Sequence, residues 1–507
     1  MYCRTPKGGS NGIVTREAVR YLSLIDQRKP FVPAFMPDLV PEIQRRFARE
    51  IVQRLHGSRF EAYWAGGCVR DQLLGLTPHD YDVATNATPE QVRRLFGQRR
   101  TLAVGMAFGV IVVLGPPGAG QIEVATFRND FDYKDGRRPG RVAFSSAQED
   151  ASRRDFTING LFYDPTADRV IDFVGGQADL AARVVRAIGN PDDRFTEDKL
   201  RMLRAVRFAA TLGFALDPAT LDAVTRRAAE IDVVSAERIA EEMRRMLIST
   251  NRVEAMRLLL ATGLAAHVLP EIAPHTNPKR KREESNDAGT DQREETNDTR
   301  KDGQAIHGTL SQETETEATH KLSPVKMDKL SMPSDWETTL ARLDRLGEAT
   351  FALALAATLV DWVSPDGIQQ VCRRWRLSNE VTDRAVWLVE RRGCLRDARN
   401  QRWSVLQKTL VSPGIDELVQ LTEVDATIEG RSADEVVYCR ELLRQPRETL
   451  DPPPLVTGDD LLTHGLSAGP LFGTLLSRLR DAQLDGEIRT KAEGLAMVEG
   501  MVRDLGI

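Results

Sequence analysis

Two aspartates, Asp80 and Asp82, flank Tyr81 in a run that reads as a strand. Side chains at i and i+2 of a strand point to one side, so their carboxylates converge. Like charges held that close call for a counter-charge, and a hard divalent cation is the usual one. Taken alone, Asp-x-Asp is more often a solvated loop or a helix cap. Its setting changes the reading. Gly66-Gly67 gives a turn whose backbone a ligand can approach closely, because no Cβ intervenes. Val69 to Leu74 then reads as the first turns of a helix, so backbone N–H groups and Arg70 face whatever lies over the glycines, and phosphate suits that position. Further on, Arg153-Arg154-Asp155 offers paired guanidinium forks that bind phosphate oxygens bidentately. Asp155 could hold one of these arginines or a ribose hydroxyl, and a surface ion pair is the bland alternative.

The stretch Thr196 to Phe214 predicts one helix, with Thr196 as its cap and Glu197 and Asp198 at the positive end of the dipole. Leu200, Leu203, Val206, Phe208 and Leu212 form its apolar stripe. Stability explains those acids without a ligand. It explains less readily why Arg201, Arg204 and Arg207 step along three residues apart. On such a helix Asp198 and Arg201 share a face and present one acceptor beside one donor. Cytosine shows an N4 donor next to its N3 acceptor, and adenine an N6 donor next to its N1 acceptor, so one side-chain pair can serve both. Uracil and guanine present the reverse pattern and would leave buried groups unpaired, at about 1–3 kcal/mol each. Glu197, four residues before Arg201, can orient that guanidinium by an ion pair.

The elements that must position these groups are legible in outline. Leu39 to His56 has helical apolar spacing and leads into an extended, aromatic-rich Phe60 to Ala65. Thr88-Pro89-Glu90 starts a helix with Thr88 as N-cap and Pro89 at its first position. Phe108 to Leu114 and Gln121 to Phe127 read as strands, and Glu123 between Ile122 and Val124 reads, by alternation alone, as an exposed strand position.

With 507 residues the chain predicts more than one domain. A hydrophobic fraction of 41% and a charged fraction of 28% describe an ordinary soluble protein. A net charge of −5 rules out a global polycation, so nucleic-acid affinity must come from local basic surface. Cys3, Cys68, Cys372, Cys394 and Cys439 are scattered without a C-x-x-C, against both a disulfide framework and a zinc site. No apolar run is long enough for a bilayer and no secretory segment stands near Met1, so a cytoplasmic enzyme with no membrane partner is expected.

The stretch W-A-G-G-C-V-R-D-Q-L-L-G-L-T-P-H-D-Y-D-V-A-T from Trp64 to Thr85 resembles the signature of the polymerase β-like nucleotidyltransferases. Within them it is similar to the class II branch of CCA-adding enzymes and bacterial poly(A) polymerases. The E-V-A-T-F-R run from Glu123, the R-R-D-F-T-I-N run from Arg153, I-D-F-V-G-G from Ile171 and E-D-K-L-R from Glu197 extend the resemblance over roughly Phe60 to Leu269. It implies Glu123 as a third catalytic carboxylate beside Asp80 and Asp82, with Asp80 and Asp82 as ligands in a site for two Mg²⁺ ions. It implies Gly66, Gly67, Arg70, Arg154 and Asp155 around the nucleotide, and Glu197, Asp198 and Arg201 as its protein template. Arg204 and Arg207 follow as nucleotide and phosphate contacts. The polar Asn129 to Ser146 resembles the full-length flexible loop of the family, which leaves terminal A addition open.

An α+β fold is therefore expected. An extension over 1–37 precedes a nucleotidyltransferase head over 38–176 with a mixed sheet and flanking helices. A helical neck over 177–275, a charged disordered linker over 276–333 and a helical body and tail over 334–507 complete it. In the body, W-E-T-T-L and L-V-D-W resemble a metal-dependent HD phosphohydrolase, but Thr338 and Val360 stand where its histidines would be, so the region is expected to be a degenerate remnant. The expected function is Mg²⁺-dependent addition of C and A from CTP and ATP to the 3′ end of tRNA, with pyrophosphate released. One alternative is a poly(A) polymerase, whose bacterial members typically carry G-R-R-F-x-L-x-H where this chain has G-M-A-F-G-V-I (Gly105 to Ile111), which is more similar to the tRNA enzymes; the other is an A-adding enzyme working with a separate CC-adding one. From another class, a non-catalytic RNA-binding protein remains open.

Overall fold

The computed structural model describes residues 39–134, 138–272, 334–466 and 470–505. The expected N-terminal extension and the charged linker lie outside the described residues. Chain packing divides the molecule into two compact units, one of residues 1–130, 142–154 and 159–174, the other of residues 131–141, 155–158 and 175–507.

In the first unit, α1 (Pro41–Gly57) buries Phe47, Ala48, Ile51, Val52 and Leu55 and delivers the chain to β1 (Ala62–Ala65). The turn at Gly66 leads into α2 (Gly67–Leu73), and β2 (Asp82–Thr85) follows. The helix α3 (Pro89–Phe96) has Pro89 in its first turn, and Thr88 and Gln91 close a capping box at its start, as the spacing predicts. Three strands come next: β3 (Thr101–Gly105), β4 (Val110–Leu114) and β5 (Gln121–Thr126). The strand expected from Phe108 begins instead at Val110, after a short 3₁₀ turn over Met106–Phe108. The strands β6 (Arg128–Lys134) and β7 (Arg138–Phe144) follow and pair as a separate two-stranded sheet, of which residues 131–141 belong to the second unit. Then come α4 (Ala147–Ser152), β8 (Phe162–Asp164) and β9 (Arg169–Ile171).

The sheet has seven strands in the order β3-β4-β5-β2-β1-β8-β9. Only β2 and β5 pair in parallel; every other pair is antiparallel, which makes this the expected mixed sheet. Ala65, Ala84, Phe127, Ala147, Ala151 and Phe162 form an apolar cluster. It locks α4, which carries the chain into Arg153-Arg154, against the strands that carry the aspartates.

The second unit is almost all helix. Asn190 caps α5 (Pro191–Glu197), and α6 (Leu200–Leu212) follows after a break. The helices α7 (Ala236–Leu247) and α8 (Arg252–Ala261) pack on α6. Beyond the gap in the described residues come α9 (Ser334–Arg345) and α10 (Phe351–Leu359), then α11 (Asn379–Glu390) and α12 (Ile415–Ile428). Arg252 ties the two stretches together, because its buried guanidinium donates to the carbonyls of Leu343, Leu346 and Gly347. The tail forms three helices, Gly458–Thr463, Pro470–Leu484 and Lys491–Leu505, around an apolar cluster of its own.

Candidate nucleotidyl-transfer site

The parallel pairing of β2 and β5 sets Asp82 directly opposite Glu123, with Val83 opposite Val124. Partners across a parallel pair point to one face. The alternation buries Val83, Ile122 and Val124 and leaves Asp82 and Glu123 open to solvent on the same side. Glu123 is therefore more than the exposed position that alternation alone predicts, since it stands beside an aspartate. Asp80 lies just before β2, outside the strand in which a carboxylate pair was expected, but its charge acts on both others. The protein packed around Asp82, then Glu123 and more weakly Asp80, push the Asp82 carboxyl up to about 6, against the pull of Arg154. The surrounding protein and then Asp80 raise Glu123 as well. Since both side chains keep solvent access, the mutual repulsion is the part of this shift that points to function.

Among the described residues no three acid, imidazole or thiol groups form a ready-made cation cage. The donor set nevertheless fits a hard divalent ion. It is all oxygen and carries repelling charge, and Mg²⁺ sites commonly use one or two carboxylates together with substrate phosphates.

Gly66 has φ +74°, which an L side chain rarely adopts, and a Cβ there would meet Arg154 Nη1 at 2.8 Å. The glycine is required because the guanidinium passes over the turn. Arg154 is held in that place from three sides: Asp150 Oδ2 accepts from Nη2 at 3.0 Å, the Asn159 carbonyl accepts from Nη1, and the Phe162 ring lies beneath. Against its burial, Arg154 and Arg153 hold the Asp150 carboxyl below the usual carboxylate range. Arg70 is mostly taken up internally: it donates from Nε and Nη2 to Asp71 and from Nη1 to Asn159 Oδ1 at 2.7 Å. Its place is that of a brace behind the glycine turn.

The expected single helix from Thr196 is interrupted. Asp198 ends α5 in an extended conformation (φ −145°, ψ 107°), and α6 starts at Leu200. Asp198 and Arg201 therefore do not share a helix face, and Thr196 is not a cap. Asn190 caps the first helix, and the Asp198 carboxylate accepts from Leu200 N–H at the start of the second. Glu197 does pair with Arg201, at 2.7 Å, and Arg201 also donates to the Arg194 carbonyl. Asp155 accepts from Arg204, while Glu242 of α7 lies between Arg204 and Arg207. Burial works against both charges. Asp155 and Glu242 overcome it at Arg204, whose pKa is raised, whereas burial prevails at Arg207, whose pKa is lowered.

Asp150, Asn159, Arg238 and Glu242 are the supporting residues that sequence reasoning missed. For Asp150 a signal existed, an acid three and four residues before the arginine pair. Asn159 stands in the R-R-D-F-T-I-N run five residues after Arg154, though its bond to Arg70 spans 89 positions. Arg238 and Glu242 act across the fold, with no local trace.

In the body, Asp361 serves an ionic cluster. Arg342 pairs with Asp361 and Asp425 at 2.7 and 2.8 Å, and Arg392 with the same two at 2.5 and 2.8 Å.

The known proteins that this chain resembles point to one family. Residues 62–186 match the poly A polymerase head domain, and residues 213–276 the probable RNA and SrmB-binding site of polymerase A. Residues 347–498 match a putative tRNA nucleotidyltransferase domain 2. The CCA-adding enzyme of Limosilactobacillus reuteri (strain DSM 20016) is 41% identical over 218 residues, 43% of this chain and 53% of that protein. The CCA-adding enzyme of Geobacillus kaustophilus is 44% identical over 224 residues, 44% of this chain and 54% of that protein. The chain thus spans about half the length of the curated relatives it matches. The Bacillus stearothermophilus CCA-adding enzyme in complex with CTP superposes with a TM-score of 0.66 at 27% identity, over 91% of this chain and 99% of that one. The Thermotoga maritima CCA-adding enzyme complexed with tRNA shares the fold, with a TM-score of 0.55 at 18% identity over 92% of this chain and 96% of that one.

Proposed function

We infer that this chain, which belongs to the class II family of CCA-adding enzymes and poly(A) polymerases, transfers C and A from CTP and ATP to the 3′ end of tRNA and releases pyrophosphate. The observation that carries this reading is the register pairing of Asp82 with Glu123 beside Asp80.

The family implies a divalent metal. In our reading two Mg²⁺ ions would be held by Asp80, Asp82 and Glu123, where they would acidify the RNA 3′-hydroxyl and shield the triphosphate charge. The chain's own residues supply the positioning. Gly66 and Gly67 let the nucleotide come close to the backbone. Arg154, fixed by Asp150 and Asn159, presents a preset fork to phosphate or sugar oxygens. Arg70 braces that turn through Asn159. Asp198 offers an acceptor and Arg201 a donor, the pattern that suits the amines and ring nitrogens of C and A. Arg204 and Arg207 keep Asp155 and Glu242 in place behind them. These enzymes work on tRNA, so the cytoplasm is the expected compartment; among the described residues no helix is long and apolar enough to cross a membrane.

A tRNA ending before CCA, offered each nucleotide alone and then CTP with ATP, tests the proposal. Sequenced products should end in CCA. Products ending in long A runs, or A addition only to tRNA that already ends in CC, would replace it by one of the other family activities.

A further inference from the structure

The acid of the base-reading pair stands outside any helix, so nothing in its own element fixes the carboxylate. Two groups do. Leu200 N–H donates to Asp198 Oδ1 at 3.1 Å, and Arg238 of α7 donates from Nη1 to Oδ1 at 3.2 Å and from Nη2 to Oδ2 at 2.7 Å. A carboxylate has about four acceptor sites. Three are used here, which leaves one, on Oδ2. Both side chains are largely enclosed, with 19% of Asp198 and 24% of Arg238 exposed, so the fork is shielded from competing water. Without Arg238, the bond from Leu200 would hold one oxygen only, and the carboxylate could swing about it.

We propose that Arg238 is a specificity-determining positioning residue, which clamps Asp198 so that a single, fixed acceptor meets the incoming base. The inference rests on the reading of Asp198 as a base reader and extends it to a residue forty positions away. Chemically, the clamp turns a rotatable acid into a directional one. An amine at C4 of cytosine or C6 of adenine finds its acceptor where it needs it, whereas a carbonyl oxygen on uracil or guanine meets an acceptor that cannot move aside. Arg238 does not touch the nucleotide in this scheme. A bidentate fork suits the task, and lysine, a point charge with rotatable donors, is a poor substitute.

The test compares the wild type with Arg238→Gln and Arg238→Lys on a tRNA lacking CCA, with CTP and UTP measured separately. In Arg238→Gln the preference for CTP over UTP, as the ratio of kcat/KM values, should fall about tenfold or more. Most of that loss should come from a higher KM for CTP. Arg238→Lys should fall between the two. A preference within about twofold of wild type in Arg238→Gln would overturn the inference. So would an equal loss for both nucleotides, which is what a purely structural role produces. Thermal melting of each variant identifies misfolding; if Arg238→Gln melts early, Arg238→Lys carries the comparison, and an unchanged preference there overturns the proposal too. A wild type that adds neither C nor A would instead remove the functional reading itself, and this inference with it.

Discussion

Acidic side chains gather twice in this molecule, and the two gatherings are built in opposite ways. On the head sheet, Asp82 stands opposite Glu123 with the charge of Asp80 acting on both, all three are solvent-exposed, and no ion pair to any of them forms among the described residues. In the body, Asp361 and Asp425 alternate with Arg342 and Arg392, and Arg342 is only 1% exposed. The carboxyl shifts follow. Asp82 is pushed up to about 6 by its packed surroundings and its acidic neighbours, whereas at Asp361 burial is outweighed by Arg342 and Arg392, which hold the group below its ordinary range. A cluster whose charges are already balanced is architecture. One whose charges repel is a candidate for a cation site, and that contrast separates a candidate site from a strut more reliably than counting acids does.

Three substitutions sharpen the contrast. Asp80→Ala should lower nucleotide incorporation about a thousandfold or more with the melting temperature preserved, because the residue is exposed and its loss removes repulsion. Substantial turnover in single-turnover assays would sink the assignment of the three acids. Asp425→Ala should do the reverse. Removing this buried carboxylate leaves Arg342 and Arg392 to share Asp361 alone, at a cost of about 3 kcal/mol in urea unfolding, while the specific activity of the folded fraction persists. The smallest effect is expected for Asp82→Asn without added metal. The folded carboxyl is pushed up from its ordinary 3.8 to about 6, so the folded state binds its proton more tightly and wild-type stability falls as pH rises through that interval. The variant lacks this loss and should melt higher than wild type above pH 6, by less than about 1 kcal/mol since the group is solvent-accessible. The difference should vanish below pH 4. Equal melting at pH 7.5 would mean that the repulsion is not felt.

Much of the head could be read from residue order, because its signals are local. The apolar pattern placed β4 and β5 to within two residues, and Thr88-Pro89 marked a helix start, whereas β3, β8 and β9 went unread and the stretch read as a flexible loop holds β6 and β7. The break at Asp198 escaped because the apolar stripe from Leu200 onward continues the helical pattern of the residues before it. Asn190-Pro191, a cap followed by a first-turn proline, was the available clue to the earlier helix. Arg238 and Glu242 look like ordinary charges on an amphipathic helix, and only packing of α7 on α6 gives them partners. The body cluster joins residues from 19 to 83 positions apart (Arg342 to Asp361 and Arg342 to Asp425), so no short window of sequence contains it.

The pairing of Asp82 with Glu123 carries a lesson about which changes this protein can absorb. Slipping either strand by one position would turn a valine or isoleucine outward and bury an acid. Greasy residues on the far side of the sheet thus act as the gauge that keeps the two acids aligned. A single added residue inside either strand would dismantle the proposed chemistry without altering one of its acids.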